Sequence, residues 1–149
     1  MTGIKSVLAE FKIKAKGSVF FPGATDSKID FTNAMLKNEG LATLPYDYAM
    51  FLKETNGMIA PDTEFYGTDE IVRSGRNYKF PNLAFVNKEL AMEGNPLIKG
   101  SVLVGNSSLS AIVFDAEAGA YRITNRLSFA TVHMCADMAE VLRYLLGLA

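Results

Sequence analysis

Thr43-Leu44-Pro45-Tyr46-Asp47-Tyr48-Ala49-Met50-Phe51-Leu52-Lys53-Glu54-Thr55-Asn56-Gly57 reads as one short helix with its start and stop signals in place. Pro45 falls in the first turn, where a missing N–H costs nothing. Asp47 lies close to the unpaired first-turn N–H groups and is attracted by the helix dipole. Tyr48, Phe51, Leu52 and Thr55 recur at i, i+3, i+4 and i+7, so they share one face, and Leu44 is placed to pack at the start of the helix. Asn56-Gly57 supplies a left-handed residue to end it. Every residue of the stretch has a structural reason to be there.

Two further helices are predicted upstream. Ile4, Val7, Leu8 and Phe11 mark an amphipathic first helix, with Thr2 a candidate N-cap and Gly17 a stop. Its Lys5, Lys12 and Lys16 form a basic side, most simply a solvated one. Phe20-Phe21-Pro22-Gly23 reads as a turn with aromatics tucked under it. Asp26 or Ser27 can cap a second helix that runs to about Asn38 and closes at Gly40.

Beyond Gly57 the pattern changes. Phe65-Tyr66 and Gly67 suggest a strand leaving a loop and Asp69 to Ser74 one helical turn; over Asn82 to Glu93, Leu83, Val86 and Leu90 suit a helix, while Leu83-Ala84-Phe85-Val86 alone could form a strand. Val102-Leu103-Val104, Ala111-Ile112-Val113-Phe114 and Ala120-Tyr121-Arg122-Ile123 are β-rich runs joined by short Gly-containing links, a hairpin signal. Their continuous apolar runs predict central strands buried on both faces. Ser128 to Val132 adds an edge strand. Asp137 followed by Glu140 opens a last helix with Met138, Val141, Leu142, Leu145 and Leu146 inward. Helices first, then a mostly antiparallel sheet, then a C-terminal helix defines an α+β fold.

Leu44-Pro45, Asp47-Tyr48, Phe51-Leu52 and Asn56-Gly57, at this spacing, resemble the signature of the SUKH superfamily, the SMI/KNR-like proteins. Phe65-Tyr66-Gly67, Val102 to Gly105, Ala111 to Asp115 and Gly119-Ala120-Tyr121 resemble its sheet, and the Leu-rich end resembles its last helix. The resemblance treats residues 1–149 as one domain and is clearest over 27–149. It does not extend to the link between Arg73 and Lys99. It implies the superfamily's α+β fold and a role in binding protein, as in its bacterial immunity proteins and fungal cell-wall regulators.

Composition narrows the classes further. The 149 residues are 49% hydrophobic with a formal net charge of −1, which fits one globular domain and argues against a general nucleic-acid binder. A single cysteine, Cys135, excludes an internal disulfide. Neither a signal-peptide pattern nor a membrane-length apolar run is present, so a cytoplasmic protein with no membrane partner is expected. His133 and Cys135 are two ligands short of a zinc site and lack a third group to orient a nucleophile. Ser107-Ser108 fails the nucleophile-elbow pattern, and the glycines are too widely spaced for a phosphate loop. No catalytic residues, metal or cofactor are therefore expected, and an enzyme is disfavoured.

One feature remains. Glu39, Asp47, Glu54, Asp62, Glu64, Asp69 and Glu70 are opposed within their own segment only by Lys53, and Arg73, Arg76 and Lys79 follow at once. This is either a solvated face neutralised by nearby bases or an acidic docking surface. On the second reading Asp47, Glu54, Asp62, Glu64, Asp69 and Glu70 form the partner site, with Tyr66 as its aromatic anchor and Tyr46 and Tyr78 as further candidates. The resemblance makes a cognate toxin the expected partner, and an acidic surface suits a basic nuclease domain. A regulatory or scaffold domain and a small-ligand module with a pocket between helices and sheet are the alternatives.

Overall fold

The computed structural model of the chain describes residues 3–72 and 79–145. Helix α3 (Tyr46–Glu54) forms where its signals predict, after Pro45 at the N-cap, and buries Tyr48, Phe51 and Leu52. Its end differs from the expectation. Thr55 is already extended (φ −150°, ψ 125°), and Gly57 (φ 93°) instead turns the chain into β2 (Met58–Ile59). A Cβ at Gly57 would sit 2.9 Å from the Phe65 carbonyl oxygen, so the site excludes a side chain twice over. Asn56 reaches across instead: its Oδ1 accepts from the Thr68 backbone N–H at 2.7 Å. Gly67, beside it, has no room for a Cβ because the backbone and side-chain oxygens of Asn56 occupy the space.

The architecture is α+β: five helices and a seven-stranded antiparallel sheet among the described residues, with the last helix C-terminal. Helix α1 (Ile4–Lys14) buries Val7, Leu8 and Phe11; the candidate cap Thr2 lies outside the described residues. Strand β1 (Val19–Phe20) follows, so the aromatic pair predicted as a turn begins with an edge strand antiparallel to β2. Helix α2 (Asp26–Asn38) is capped by Thr25, whose Oγ1 accepts from the Lys28 N–H at 3.3 Å. Asp26 and Ser27, the predicted caps, are already helical. Strands β3 (Thr63–Phe65), β6 (Ser101–Ser107), β7 (Ser110–Asp115), β8 (Ala120–Asn125) and β9 (Thr131–Cys135) complete the sheet in the order β1-β2-β3-β6-β7-β8-β9.

The helical turn predicted from Asp69 is not formed over Ile71–Val72, which is strand β4, paired with β5 (Lys79–Phe80). Ile71 and Val72 are β-branched and meet a partner strand, which favours extension over an isolated turn. The remainder of that turn, with Arg73 to Tyr78, lies outside the described residues. Helix α4 (Leu83–Met92) starts at Asn82, whose Oδ1 accepts from the Phe85 N–H at 2.7 Å. Helix α5 (Met138–Leu145) has the expected opening: Asp137 Oδ1 accepts from Glu140 N at 2.9 Å and Glu140 Oε2 from Ala136 N at 2.7 Å. Its Met138, Val141 and Leu142 are buried; Leu146 lies outside the described residues.

The sheet is covered on both faces, as the apolar runs predict. Tyr121, Ile123 and Cys135 point towards α3 and α5, whereas Leu103 and Ala111 line a cleft with Val86 and Leu90 of α4. Strand β3 is shorter than β6, which leaves the backbone of Leu103 without a strand partner on that side. Asn87 of α4, fully buried, replaces the missing strand. Its Oδ1 accepts from Leu103 N at 2.8 Å and its Nδ2 donates to Leu103 O at 2.9 Å. Replacing Asn87 by Ala orphans one buried donor and one buried acceptor, so a loss of about 2–4 kcal/mol is expected in urea unfolding. A loss below 1 kcal/mol or so would mean that water substitutes for the amide.

Candidate functional site

The acidic segment is local in sequence but divided in space. Asp47 is used inside the fold: its Oδ1 accepts from the Tyr121 hydroxyl at 2.9 Å and its Oδ2 from the Met138 N–H at 2.6 Å, the first turn of α5. Burial, and then this carboxylate, hold the Tyr121 hydroxyl far above the usual phenol range. Glu54 pairs with Lys5 of α1 at 3.6 Å, Asp69 with Lys28 of α2 at 2.6 Å, and Glu39 with Lys88 of α4 at 3.7 Å. Lys53, the one base within the segment, turns instead to Asp26 at 2.7 Å. Bases distant in sequence thus neutralise much of the segment, and exposed pairs of this kind add little stability.

Tyr66 is not an exposed anchor. Its residue is only 4% exposed, its ring stacks on Phe80 with centroids 5.4 Å apart, and its hydroxyl accepts from Asn106 Nδ2 at 2.7 Å. Tyr46 is exposed, and Tyr78 lies outside the described residues. Glu70 is exposed beside Pro81, Asn82 and Phe85, in a different depression from Asp62 and Glu64. The six acids and Tyr66 therefore do not form one surface.

Two of the acids do share a site. Asp62 and Glu64 line an open groove of about 330 Å³ with Asn106, Ser107, Ser108 and Arg126. Antiparallel register explains the convergence. Thr63 pairs with Ser107 and Ser110 with Asn125, so the β2–β3, β6–β7 and β8–β9 loops meet at one end of the sheet. Asn125 Oδ1 accepts from the N–H groups of Leu127 and Ser128 at 2.9 and 3.0 Å, and Ser107 Oγ from that of Ser110 at 3.0 Å. Arg126 ties two loops together, donating from N to Leu109 O at 3.1 Å and from Nη1 to Ser107 O at 3.0 Å.

This loop end carries apolar residues that sequence reading did not single out. Leu109 is 74% exposed and Leu127 91%, while Phe129 is held at φ 62°. A positive φ is costly for an aromatic residue and is normally given to glycine in such a hairpin. The available signal was leucine inside turn-forming runs, Ser107-Ser108-Leu109-Ser110 and Asn125-Arg126-Leu127-Ser128, where no core calls for it.

The remaining chemistry is modest. Among the described residues no group of three or more His, Cys, Asp or Glu could hold a metal ion. His133 stacks on Tyr144 with centroids 4.3 Å apart, and the Cys135 thiol is buried. Asp115 Oδ1 closes its own hairpin by accepting from Glu117 N and Ala118 N. A cleft of about 250 Å³ between α4 and the sheet is lined by Tyr66, Val86, Leu90, Asn95 and Asn106 among others. It lies below the roughly 300–1,000 Å³ common for small-molecule sites. No described helix is long and apolar enough to cross a membrane. The chain matches no protein-family model, and no curated protein sequence matches it.

Burial first, then Glu140 and Asp137, push the Cys135 thiol up to about 11 from its ordinary 9.0. The unfolded chain therefore releases this proton first as pH rises. The resulting stability is present below about pH 9 and is lost towards pH 11, at about 1.4 kcal/mol per pH unit at most. Tyr48 and Tyr121, also raised by burial, act in the same direction from about pH 10 upward. Urea unfolding across this range should show the decline, and Cys135→Ala should flatten its 9-to-10 portion. An unchanged slope in that variant would contradict the assignment.

Proposed function

We propose that this chain is a non-enzymatic protein-binding domain of the SUKH kind, acting as an immunity protein that neutralises a cognate bacterial toxin by occlusion. The observation that carries the reading is the groove at the loop end of the sheet, lined by Asp62 and Glu64, with the exposed Leu109 and Leu127 next in the chain to its Ser108 and Arg126. Rigid loops bearing apolar tips with a charged margin suit recognition of another protein. Acids at the margin favour a basic partner, such as a nuclease domain whose cleft must hold phosphates, and would speed the encounter. The resemblance of the Leu44–Gly57 stretch to the SUKH signature supplies the immunity role. Asp47 is committed to the fold. Tyr66 is buried, and its hydroxyl meets Glu64 at 3.5 Å and Asn106 at 2.7 Å, so it supports the groove from below without being exposed in it. Glu54, Asp69 and Glu70 line or pair elsewhere.

The test is affinity capture from the producing cell at low salt, followed by elution at high salt. A basic polypeptide that arrests growth unless this chain is co-produced is expected. Asp62→Lys combined with Glu64→Gln should slow its association about tenfold or more and reduce the salt dependence. Leu127→Ser should mainly speed dissociation. Asp69→Asn should leave both rates unchanged. Recovery of a cell-wall or signalling complex would favour the scaffold alternative, and unaltered kinetics in the folded Asp62/Glu64 variant would remove the groove from the site.

A further inference from the structure

The cleft of about 250 Å³ between α4 and the sheet exists because one floor position is small. Ala111 pairs with Asn106 across the β6–β7 ladder and shares a sheet face with Val113, two residues on. It offers only a methyl group where Leu103 and Val113, paired beside it, offer branched side chains. Val86 and Leu90, one helical turn apart on α4, form the opposite wall. The hydrogen bonds of Asn87 to the Leu103 backbone hold that helix at a set height, so the wall does not close on the floor.

The polar groups of the cleft are mostly donors. Asn95 Oδ1 accepts from the Leu97 N–H at 2.9 Å, which leaves its Nδ2 to donate. The Arg126 guanidinium gives one N–H to Ser107 O at 3.0 Å and keeps others for a further acceptor. Asn106 Nδ2 is already taken by the Tyr66 hydroxyl. No Asp or Glu lines the cleft. Other depressions of the surface do carry acid: Asp62 and Glu64 at the loop end, Glu70 beside Pro81, Glu54 beside Lys5, and Glu140 beside His133.

We propose that this cleft binds a small monocarboxylate with a compact apolar body. The body lies over Ala111 against Val86 and Leu90, and the carboxylate takes Arg126 and the Asn95 amide. Size sets the limit. A cavity of about 150 Å³ encloses benzene, so this one suits a body and head of roughly ten non-hydrogen atoms and excludes drug-sized ligands. Charge selects the head group. A guanidinium and a free amide donor, with no acid among the lining residues, favour an anion over an amine or a neutral amide. The flat fork of the guanidinium matches a carboxylate in particular. The inference does not rest on the proposed toxin.

Titration of the full chain with phenylacetate, followed through its amide chemical shifts, tests it, with phenylacetamide as an uncharged probe of the same shape. Saturable shifts are expected at Val86, Leu90, Asn95 and Ala111, half complete below about 5 mM phenylacetate. Phenylacetamide should bind about tenfold more weakly. Arg126→Gln, which keeps a donor for Ser107 O, should abolish that preference and leave binding of the neutral probe unchanged. Val86→Trp, from the part-buried helix wall, and Ala111→Leu, from the floor, should each fill the cleft and prevent binding of both probes; a native amide spectrum shows which variant is folded. The absence of saturable shifts up to about 20 mM phenylacetate overturns the inference. Equal affinity for the two probes, binding that survives in a folded filled variant, or shifts confined to the Leu109 and Leu127 loops overturns it equally.

Discussion

One carboxylate holds three elements in register. Asp47, in the first turn of α3, takes the Tyr121 hydroxyl of β8 on one oxygen and the first backbone N–H of α5 on the other. Positions 47, 121 and 138 are thereby fixed to one another across the helical layer and the sheet. A negative charge at the start of two helices is favourable on dipole grounds alone. Its half-buried setting strengthens both hydrogen bonds, since both are charge-assisted. Tyr48, one residue on, faces the other way and donates to the carbonyls of Tyr66 and Val104 at 2.6 and 3.2 Å. The short helix thus anchors the sheet at two places through adjacent side chains.

This explains why the family-like signature and the loop-end groove are separate things. Leu44, Phe51 and Leu52 are core; Tyr48 and Asp47 bridge to the sheet; Asn56 holds Thr68, and Gly57 turns the chain into β2. Each matched position is consumed by folding. The loop-end groove lies at the far end of the strands, where sequence change leaves these contacts intact.

Much of the fold was legible because its elements carry strong periodic patterns. Helices α1, α2, α3 and α5 and the long strands β6 to β8 announce themselves by apolar spacing and by caps such as Asp137; over α4 the spacing also allowed a strand at Leu83 to Val86, and the Asn82 cap is seen in the structure. The two-residue strands β1, β2, β4 and β5 do not, since two residues have no period and extend only because a partner is present. Thr25, Asp26 and Ser27 are nearly equal as caps, so the chain's path, and not local preference, selects Thr25. The charged segment misled for a related reason. Asp47 and Glu54, seven apart on α3, do share a face, but α1 and α5 pack on it. Local charge counting cannot see Lys5, Lys28 and Lys88 arriving from other helices, nor that Tyr66 is covered by Phe80.

The central claim is that Asp47 belongs to the fold's internal bracing, and a double-mutant cycle with Tyr121 tests it most directly. Urea unfolding of Asp47→Ala, Tyr121→Phe and the pair gives the coupling between the two groups. The bracing account predicts a coupling of about 1–3 kcal/mol, because the hydroxyl contributes through the carboxylate. Additive effects, or an Asp47→Ala variant as stable as the original chain, would contradict it and return Asp47 to the candidates for the partner surface.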